Sequence, residues 1–192
     1  GYQVDAVVLD GRGAKTLGVL VDHIVKGKSL TDVPNLVLYN GKNVDVTSKQ
    51  PEDFDFKKDD INWDLIENDL LGKVAWVRTQ ISCPFACSFC TYPTTAGAVI
   101  RADMEMLDKG LKQLHRRGVK YLMFIDDTFN FPARRFKQIL KLLKKYNFLW
   151  SSYVRCQYLD KEQVDDMKES GCIGVFLGIE SGNEDVLRYM NK

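Results

Sequence analysis

Residues 74–90 read Val74-Ala75-Trp76-Val77-Arg78-Thr79-Gln80-Ile81-Ser82-Cys83-Pro84-Phe85-Ala86-Cys87-Ser88-Phe89-Cys90. The first part is an apolar run with the marks of a strand, expected over Val74–Gln80. Directly after it, three cysteines fall within eight residues in the spacing C-x3-C-x2-C. A loop this short brings three thiolates round one small centre. A structural zinc site wants four ligands, and a ferredoxin-type cluster wants four cysteines. The nearest histidine, His115, lies well along an expected helix, and the next cysteine is Cys156. Three ligands on a four-iron cube leave one iron open to bind something else. That arithmetic favours an active cluster over a structural one, with a zinc site or a chance grouping as the alternative.

Working outward, the pattern after residue 74 alternates strand and helix, the sign of parallel β/α units and an α/β fold. Strands are expected at Val74–Gln80, Tyr121–Asp126, Ser151–Tyr158 and Ile173–Glu180. Helices are expected at Met104–Gly118, Ala133–Tyr146, Lys161–Ser170 and from Asn183 onward. Gly118 and Gly171 stand where a helix end wants a residue free to take positive φ. Four such units make an open or partial barrel.

Ligands of parallel β/α folds sit at the carboxyl ends of the strands. The second strand ends in Asp126-Asp127-Thr128, where the acids either meet a ligand or cap the next segment. The third places Ser151, Tyr153, Arg155 and Gln157 on one face, with Ser152, Val154, Cys156 and Tyr158 on the other. An arginine in a buried strand needs an anionic partner, either a ligand or a neighbouring acid. The fourth turns Ile173, Val175, Leu177 and Ile179 towards covering helices, and Gly174, Phe176, Gly178 and Glu180 inward. Cys156 alternates away from Arg155 and Cys172 opens a strand at the far end, so both are expected to be structural.

The cysteine motif, with Phe89 at its aromatic position, resembles the C-x3-C-x-aromatic-C signature of the radical S-adenosylmethionine (SAM) superfamily. The resemblance covers about residues 74–192. It implies a partial (β/α)6 TIM-like barrel, of which strands 1–4 are present, and a 4Fe–4S cluster on Cys83, Cys87 and Cys90. SAM would chelate the open iron, and reductive cleavage would give methionine and a 5′-deoxyadenosyl radical. By the same resemblance Asp126 or Asp127 contacts the SAM amino group and Arg155 its carboxylate, and Gln157 stands where relatives often carry Asp or Asn. Gly178-Ile179-Glu180-Ser181-Gly182 resembles the family's G-x-E-S-G segment, whose carboxylate meets the ribose hydroxyls. A helix-capping role for Glu180-Ser181 is the alternative. No catalytic residue is assigned beyond the cluster ligands.

The preceding residues resemble the C-terminal part of a flavodoxin-like, cobalamin-binding-type domain that comes before the barrel in one large radical SAM class. Val4–Leu9 reads as a strand, Gly11-Arg12-Gly13 as a turn, and Leu17, Val19, Leu20, Val21 and Ile24 as a helix running to Gly27. Most members carry Gly-x-Gly-Glu at the turn, whereas Ala14 follows Gly13 here. Val33–Tyr39 and Val44–Val46, joined through Asn40-Gly41, read as a hairpin. The D-x-H-x-x-G cobalamin motif is absent from these residues, and His23 sits in a helical repeat. Residues 1–50 are thus expected as a remnant of that domain, 51–73 as a linker and 74–192 as the N-terminal part of the barrel, both chain ends reading as cuts from a longer protein.

The formal net charge of +1 argues against a nucleic-acid partner, and Arg116-Arg117, Lys141, Lys144 and Lys145 fall on solvated helix exteriors. No apolar run approaches the ~20 residues of a membrane span, so a cytoplasmic protein is expected. The resemblance implies an enzyme that acts on a peptide or small-molecule substrate with a reductant such as flavodoxin or ferredoxin. C-methylation with cobalamin is the first expectation. A cobalamin-independent peptide epimerase or oxidative cyclase, a tRNA methylthiotransferase, and a non-catalytic Fe–S electron carrier are the alternatives.

Overall fold

The computed structural model describes residues 4–9, 12–39 and 41–192; Asp10, Gly11 and Asn40, which belong to the two expected turns, lie outside the described residues. The chain divides into two compact units, residues 1–54 with 94–96, and residues 55–93 with 97–192.

In the first unit, β1 (Ala6–Val8) is followed by α1 (Ala14–Val25), then by β2 (Leu36–Tyr39) and β3 (Val44–Val46). The strands pair antiparallel in the order β1-β2-β3, so the expected hairpin is present and β1 lies on its outer edge. Leu20, Val33 and Leu36 form the core, with Ala6, Val8, Leu30 and Leu38 packed against it. The amides of Lys15 and Thr16 donate to the Glu52 carboxylate at 3.1 and 2.7 Å. A carboxylate at a helix N-terminus satisfies otherwise orphaned N–H groups. Here it arrives from residue 52.

After residue 55 the elements are, in chain order, α2 (Phe56–Asp59), α3 (Asn68–Leu71), β4 (Val74–Val77), β5 (Gln80–Ile81), α4 (Tyr92–Ala96, whose residues 94–96 group with the first unit) and β6 (Ile100–Arg101). Then come α5 (Met104–Arg116), β7 (Tyr121–Phe124), α6 (Ala133–Tyr146), β8 (Leu149–Val154), α7 (Lys161–Glu169), β9 (Cys172–Leu177) and α8 (Glu184–Tyr189). Strands β4-β7-β8-β9 form one parallel sheet in sequential order. The short β5 and β6 pair antiparallel on their own. The alternating pattern read from the sequence thus gives the expected α/β architecture with four parallel strands.

The core lies between this sheet and α5, α6 and α7. Apolar residues recur at helical spacing on one face, Leu107, Leu111 and Leu114 on α5, and Phe136, Ile139, Leu140 and Leu143 on α6, all buried. They meet Ala75, Val77, Leu122, Phe124, Trp150 and Val154 from the sheet. Trp150 is fully buried, and its indole N–H donates to the Ser170 carbonyl at 3.1 Å. Gly118 and Gly171 take φ of 77° and 91°, as expected of helix ends.

Several expectations are corrected, among them the fourth strand, which spans Cys172–Leu177 rather than Ile173–Glu180 and leaves Ile173, Val175, Leu177 and Ile179 exposed rather than covered by helices. Within the stretch read as a linker, Phe56–Asp59 and Asn68–Leu71 are helical. Phe56 and Leu71 are buried, and the side chains of Asn62 and Asp64 accept hydrogen bonds from Gln113 of α5, both at 2.9 Å. The first strand stops at Val77 rather than Gln80, because the Thr79 and Gln80 amides are held by Asp126. The third stops at Val154 rather than Tyr158. The Asn130 side chain accepts from the Arg155 amide and donates to its carbonyl, both at 2.9 Å, so neither group is left for a sheet ladder. A 3-10 turn over Cys156–Tyr158 follows.

Candidate functional site

The carboxyl ends of all four parallel strands feed one cavity of about 210 Å³. Its wall is built from Cys83, Cys87, Phe89, Cys90 and Tyr92 of the cysteine loop and the start of α4, and from Asp127 and Thr128 after β7. Tyr153, Val154 and Arg155 come from β8 and its end, and Phe176, Gly178, Glu180 and Lys192 from β9 and beyond. All three cysteines of the motif are free thiols. Among the described residues, no three His, Cys, Asp or Glu side chains converge tightly enough to hold a single ion. The three thiols are spread along the wall of the cavity.

The backbone of the loop is tied at both ends. Ser82, just before Cys83, is buried at φ 69°, with its hydroxyl donating to the Gly97 carbonyl at 2.6 Å. Further on, the Ser88 amide donates to the Met190 carbonyl at 2.9 Å, and the Asn191 side-chain amide donates to the Ala86 carbonyl at 2.8 Å. Glu180 also lies in the left-handed region, at φ 62°. Bulky non-glycine residues in that region carry strain that surrounding structure must hold in place.

Arg155 is the buried guanidinium of the site. It is 9% exposed, its guanidinium lies 4.0 Å from the Phe85 ring centroid, and its Nη1 is 3.5 Å from the Cys87 Sγ. Its Nε is buried and has no hydrogen-bond partner among the described residues. A buried guanidinium with a donor unspent suits an anionic ligand. Three thiols, this cation and a nearby carboxylate therefore fit a thiolate-held cluster together with a small zwitterionic ligand.

The two adjacent acids divide their work. Asp126 is fully buried and takes hydrogen bonds from the Thr79 amide and hydroxyl and from the Gln80 amide. Burial outweighs those bonds and pushes its pKa up to about 6. Asp127, not Asp126, lines the cavity, and its carboxylate accepts from the Tyr92 hydroxyl. Burial raises the pKa of both groups, and for Tyr92 the Asp127 charge adds to it.

Of the residues read from the sequence, Cys83, Cys87, Cys90, Phe89, Asp127, Arg155 and Glu180 face this cavity. Asp126 is committed to the β4 turn, Ser181 lies outside the lining, and Gln157 is exposed in the 3-10 turn. Its expected alternation with Arg155 ends where β8 ends. Cys156 and Cys172 are half-buried and away from the cavity. The sequence reading missed Tyr92, Thr128 and Lys192. Tyr92 and Thr128 adjoin residues already singled out, but nothing in the local pattern marks Lys192, which lies past a separate helix.

This arrangement, at the carboxyl ends of a parallel β/α sheet, fits an iron–sulfur cluster with a SAM-type ligand. A model of the radical SAM superfamily matches residues 77–192, and the chain belongs to that superfamily. Its members are enzymes that use a 4Fe–4S cluster and SAM. The chain is 30% identical over 200 residues to "Uncharacterized methyltransferase PH0819" of Pyrococcus horikoshii, covering 98% of this chain and 43% of that protein. It is 34% identical over 115 residues to bacteriochlorophyllide d C-12(1)-methyltransferase of Chlorobaculum tepidum, covering 57% of this chain and 25% of that protein. The chain thus spans less than half the length of these curated relatives. Among solved structures, it superposes on the radical SAM methyltransferase TsrM of Kitasatospora setae with a TM-score of 0.64 at 16% identity, over 96% of this chain and 39% of that one. That likeness shows the fold. TsrM has been solved with tryptophan and a SAM analogue, and also with cobalamin and a 4Fe–4S cluster. No helix among the described residues is long and apolar enough to cross a membrane.

Proposed function

We propose that the protein is a radical SAM methyltransferase acting on a small molecule or peptide, with cobalamin as the methyl carrier. The observation that carries the SAM half of this reading is the convergence of Cys83, Cys87, Cys90, Arg155 and Glu180 on one cavity at the strand ends. The cysteines hold the cluster and leave one iron to the ligand. Arg155, with its unspent Nε, faces the ligand carboxylate, Asp127 the amino group and Glu180 the ribose hydroxyls. Phe89 and Phe176 supply apolar wall against the adenosine half. When bound, the cluster and SAM supply the electron and the radical initiator; the protein's part is to orient them and keep water out.

The cobalamin half is supported by the relatives, which are named methyltransferases, and by the extent of the TsrM superposition, which takes in the first unit as well as the barrel strands. In this reading residues 1–50 belong to a flavodoxin-like cobalamin domain, and β4, β7, β8 and β9 are strands of a (β/α)6 barrel. The reductant is a flavodoxin- or ferredoxin-type carrier.

Anaerobic reconstitution with iron and sulfide, followed by SAM and dithionite, tests the first half through release of 5′-deoxyadenosine. Its absence from a fully reconstituted protein overturns the reading. Cobalamin titration followed by visible absorbance tests the second half. Retention of stoichiometric cobalamin is the expected result, and no binding returns the choice to a cobalamin-independent epimerase or cyclase.

A further inference from the structure

Lys192 lies in the cavity wall with its ammonium 3.0 Å from the Glu180 carboxylate, and its side chain is only 10% exposed. Lysines normally keep the ammonium in water, so burying one is costly unless the charge is paired. Its backbone is fixed just upstream, where Met190 and Asn191 bond to the main chain of the cysteine loop. From there the side chain reaches to within 5.8 Å of the Phe89 ring centroid. Gly178 makes room for the pair: a Cβ there would stand 2.8 Å from the Glu180 Oε1 and 2.9 Å from the Lys192 Nζ. The carboxylate itself is presented from a residue at φ 62°. A strained backbone, a sequestered ammonium and a missing side chain all serve one carboxylate at the cavity wall. A helix cap needs none of them, and Asn183 already caps α8 by accepting from the Asp185 and Val186 amides.

We infer that Lys192 is a positioning residue for the nucleoside half of the ligand, holding the Glu180 carboxylate towards the ribose hydroxyls. This rests on the reading of the cavity as a SAM site. The same segment, Met190–Lys192, ties that carboxylate to the loop carrying the cluster ligands, so the two halves of the SAM site are held in register by one turn of chain.

The test uses the intact protein, reconstituted anaerobically, with SAM, 5′-deoxyadenosine and methionine as separate probes in equilibrium dialysis. Lys192→Met is expected to weaken SAM and 5′-deoxyadenosine roughly tenfold or more, as for loss of a charge-assisted hydrogen bond. Methionine affinity and iron content should be unchanged, and Lys192→Arg should restore most of the nucleoside affinity. Lys192→Gln, a second variant without the charge, should reproduce the loss and serves should Lys192→Met fail to fold. Unchanged nucleoside affinity in both variants, or equal weakening of methionine and nucleoside, overturns the inference. If the unsubstituted protein binds no SAM at all, the SAM reading falls and takes this inference with it.

Discussion

Asp126 and Thr79 are joined twice, the Thr79 amide donating to the Asp126 carboxylate at 2.8 Å and the Thr79 hydroxyl at 2.6 Å, in a site with no solvent exposure at the aspartate. The Gln80 amide adds a third bond at 3.0 Å. This junction stops β4 and turns the chain towards Cys83, so it sets where the cysteine loop begins. Asp126→Ala would leave three buried donors unpaired and should destabilise the protein by about 3 kcal/mol, read from urea midpoints.

The same carboxyl makes stability depend on pH in a direction opposite to most acids. Its folded pKa of about 6 lies above the ordinary value of 3.8, because burial outweighs the three hydrogen bonds. Between about pH 4 and 6 the unfolded chain has released a proton that the folded chain keeps, so stability falls as pH rises through that window. Asp126→Asn keeps an acceptor for the two amides and offers N–H to the Thr79 oxygen. It should fold and flatten that slope, measured as the urea midpoint from pH 4 to pH 7. An unaltered slope would place the titration elsewhere.

Gly171 couples the end of α7 to the start of β8. It stands at φ 91°, and a Cβ there would run into the Phe148 carbonyl oxygen. The conflict is with backbone, which cannot swing aside as a side chain tip can. Gly171→Ala is therefore expected to cost at least about 3 kcal/mol, well above the usual ~1 kcal/mol of a positive-φ glycine. Thermal unfolding measures it, with Gly182→Ala, which meets nothing within 4 Å, as the control near zero.

What could be read from the sequence was what repeats or clusters. The i, i+3, i+4 pattern of Phe136, Ile139, Leu140 and Leu143 fixed α6 to the residue, and the three cysteines marked the site without any tertiary information. The errors at the ends of the first and third strands share one cause. Side chains distant in sequence capture backbone groups, Asp126 at Thr79 and Asn130 at Arg155, and end strands that the apolar pattern would have continued. No alternation rule foresees this, so Gln157 was carried one turn too far along the strand. Lys192 stayed invisible for a similar reason, since its partner is 12 residues away across a helix.

Asn130 deserves a direct test because it holds Arg155 by the backbone. It is fully buried, and both ends of its amide are used on Arg155. Asn130→Ala should cost about 2 kcal/mol in stability and also weaken SAM binding by releasing Arg155. Arg155→Leu should leave stability nearer to normal yet weaken SAM roughly 10- to 100-fold, the range for a charge-assisted bond. Arg155→Lys should recover little, since a point charge cannot reproduce a guanidinium stacked on Phe85. Dialysis against SAM beside urea titration separates the two effects.

The cysteines lie outside the packed core, with Cys83 and Cys87 half-buried and Cys90 exposed, while the core residues that hold the sheet are elsewhere. Removing the thiols should therefore remove the cluster without removing the fold. The Cys83 Sγ lies 3.4 Å from the Thr128 hydroxyl, so Cys83→Ala forfeits at most one weak contact, and apo-protein stability should change by less than about 1 kcal/mol. The triple Cys83/Cys87/Cys90→Ala variant should keep its far-ultraviolet circular dichroism, and after reconstitution its iron should fall from about four per chain to background, with 5′-deoxyadenosine release lost alongside. Each single variant should lose most of the iron as well, because a cube already one protein ligand short has no spare thiolate to lose. Cys156→Ala and Cys172→Ala, away from the cavity, should retain both iron and product. Iron retained by the triple variant would mean that the cluster, and the SAM chemistry built on it, belongs to other residues.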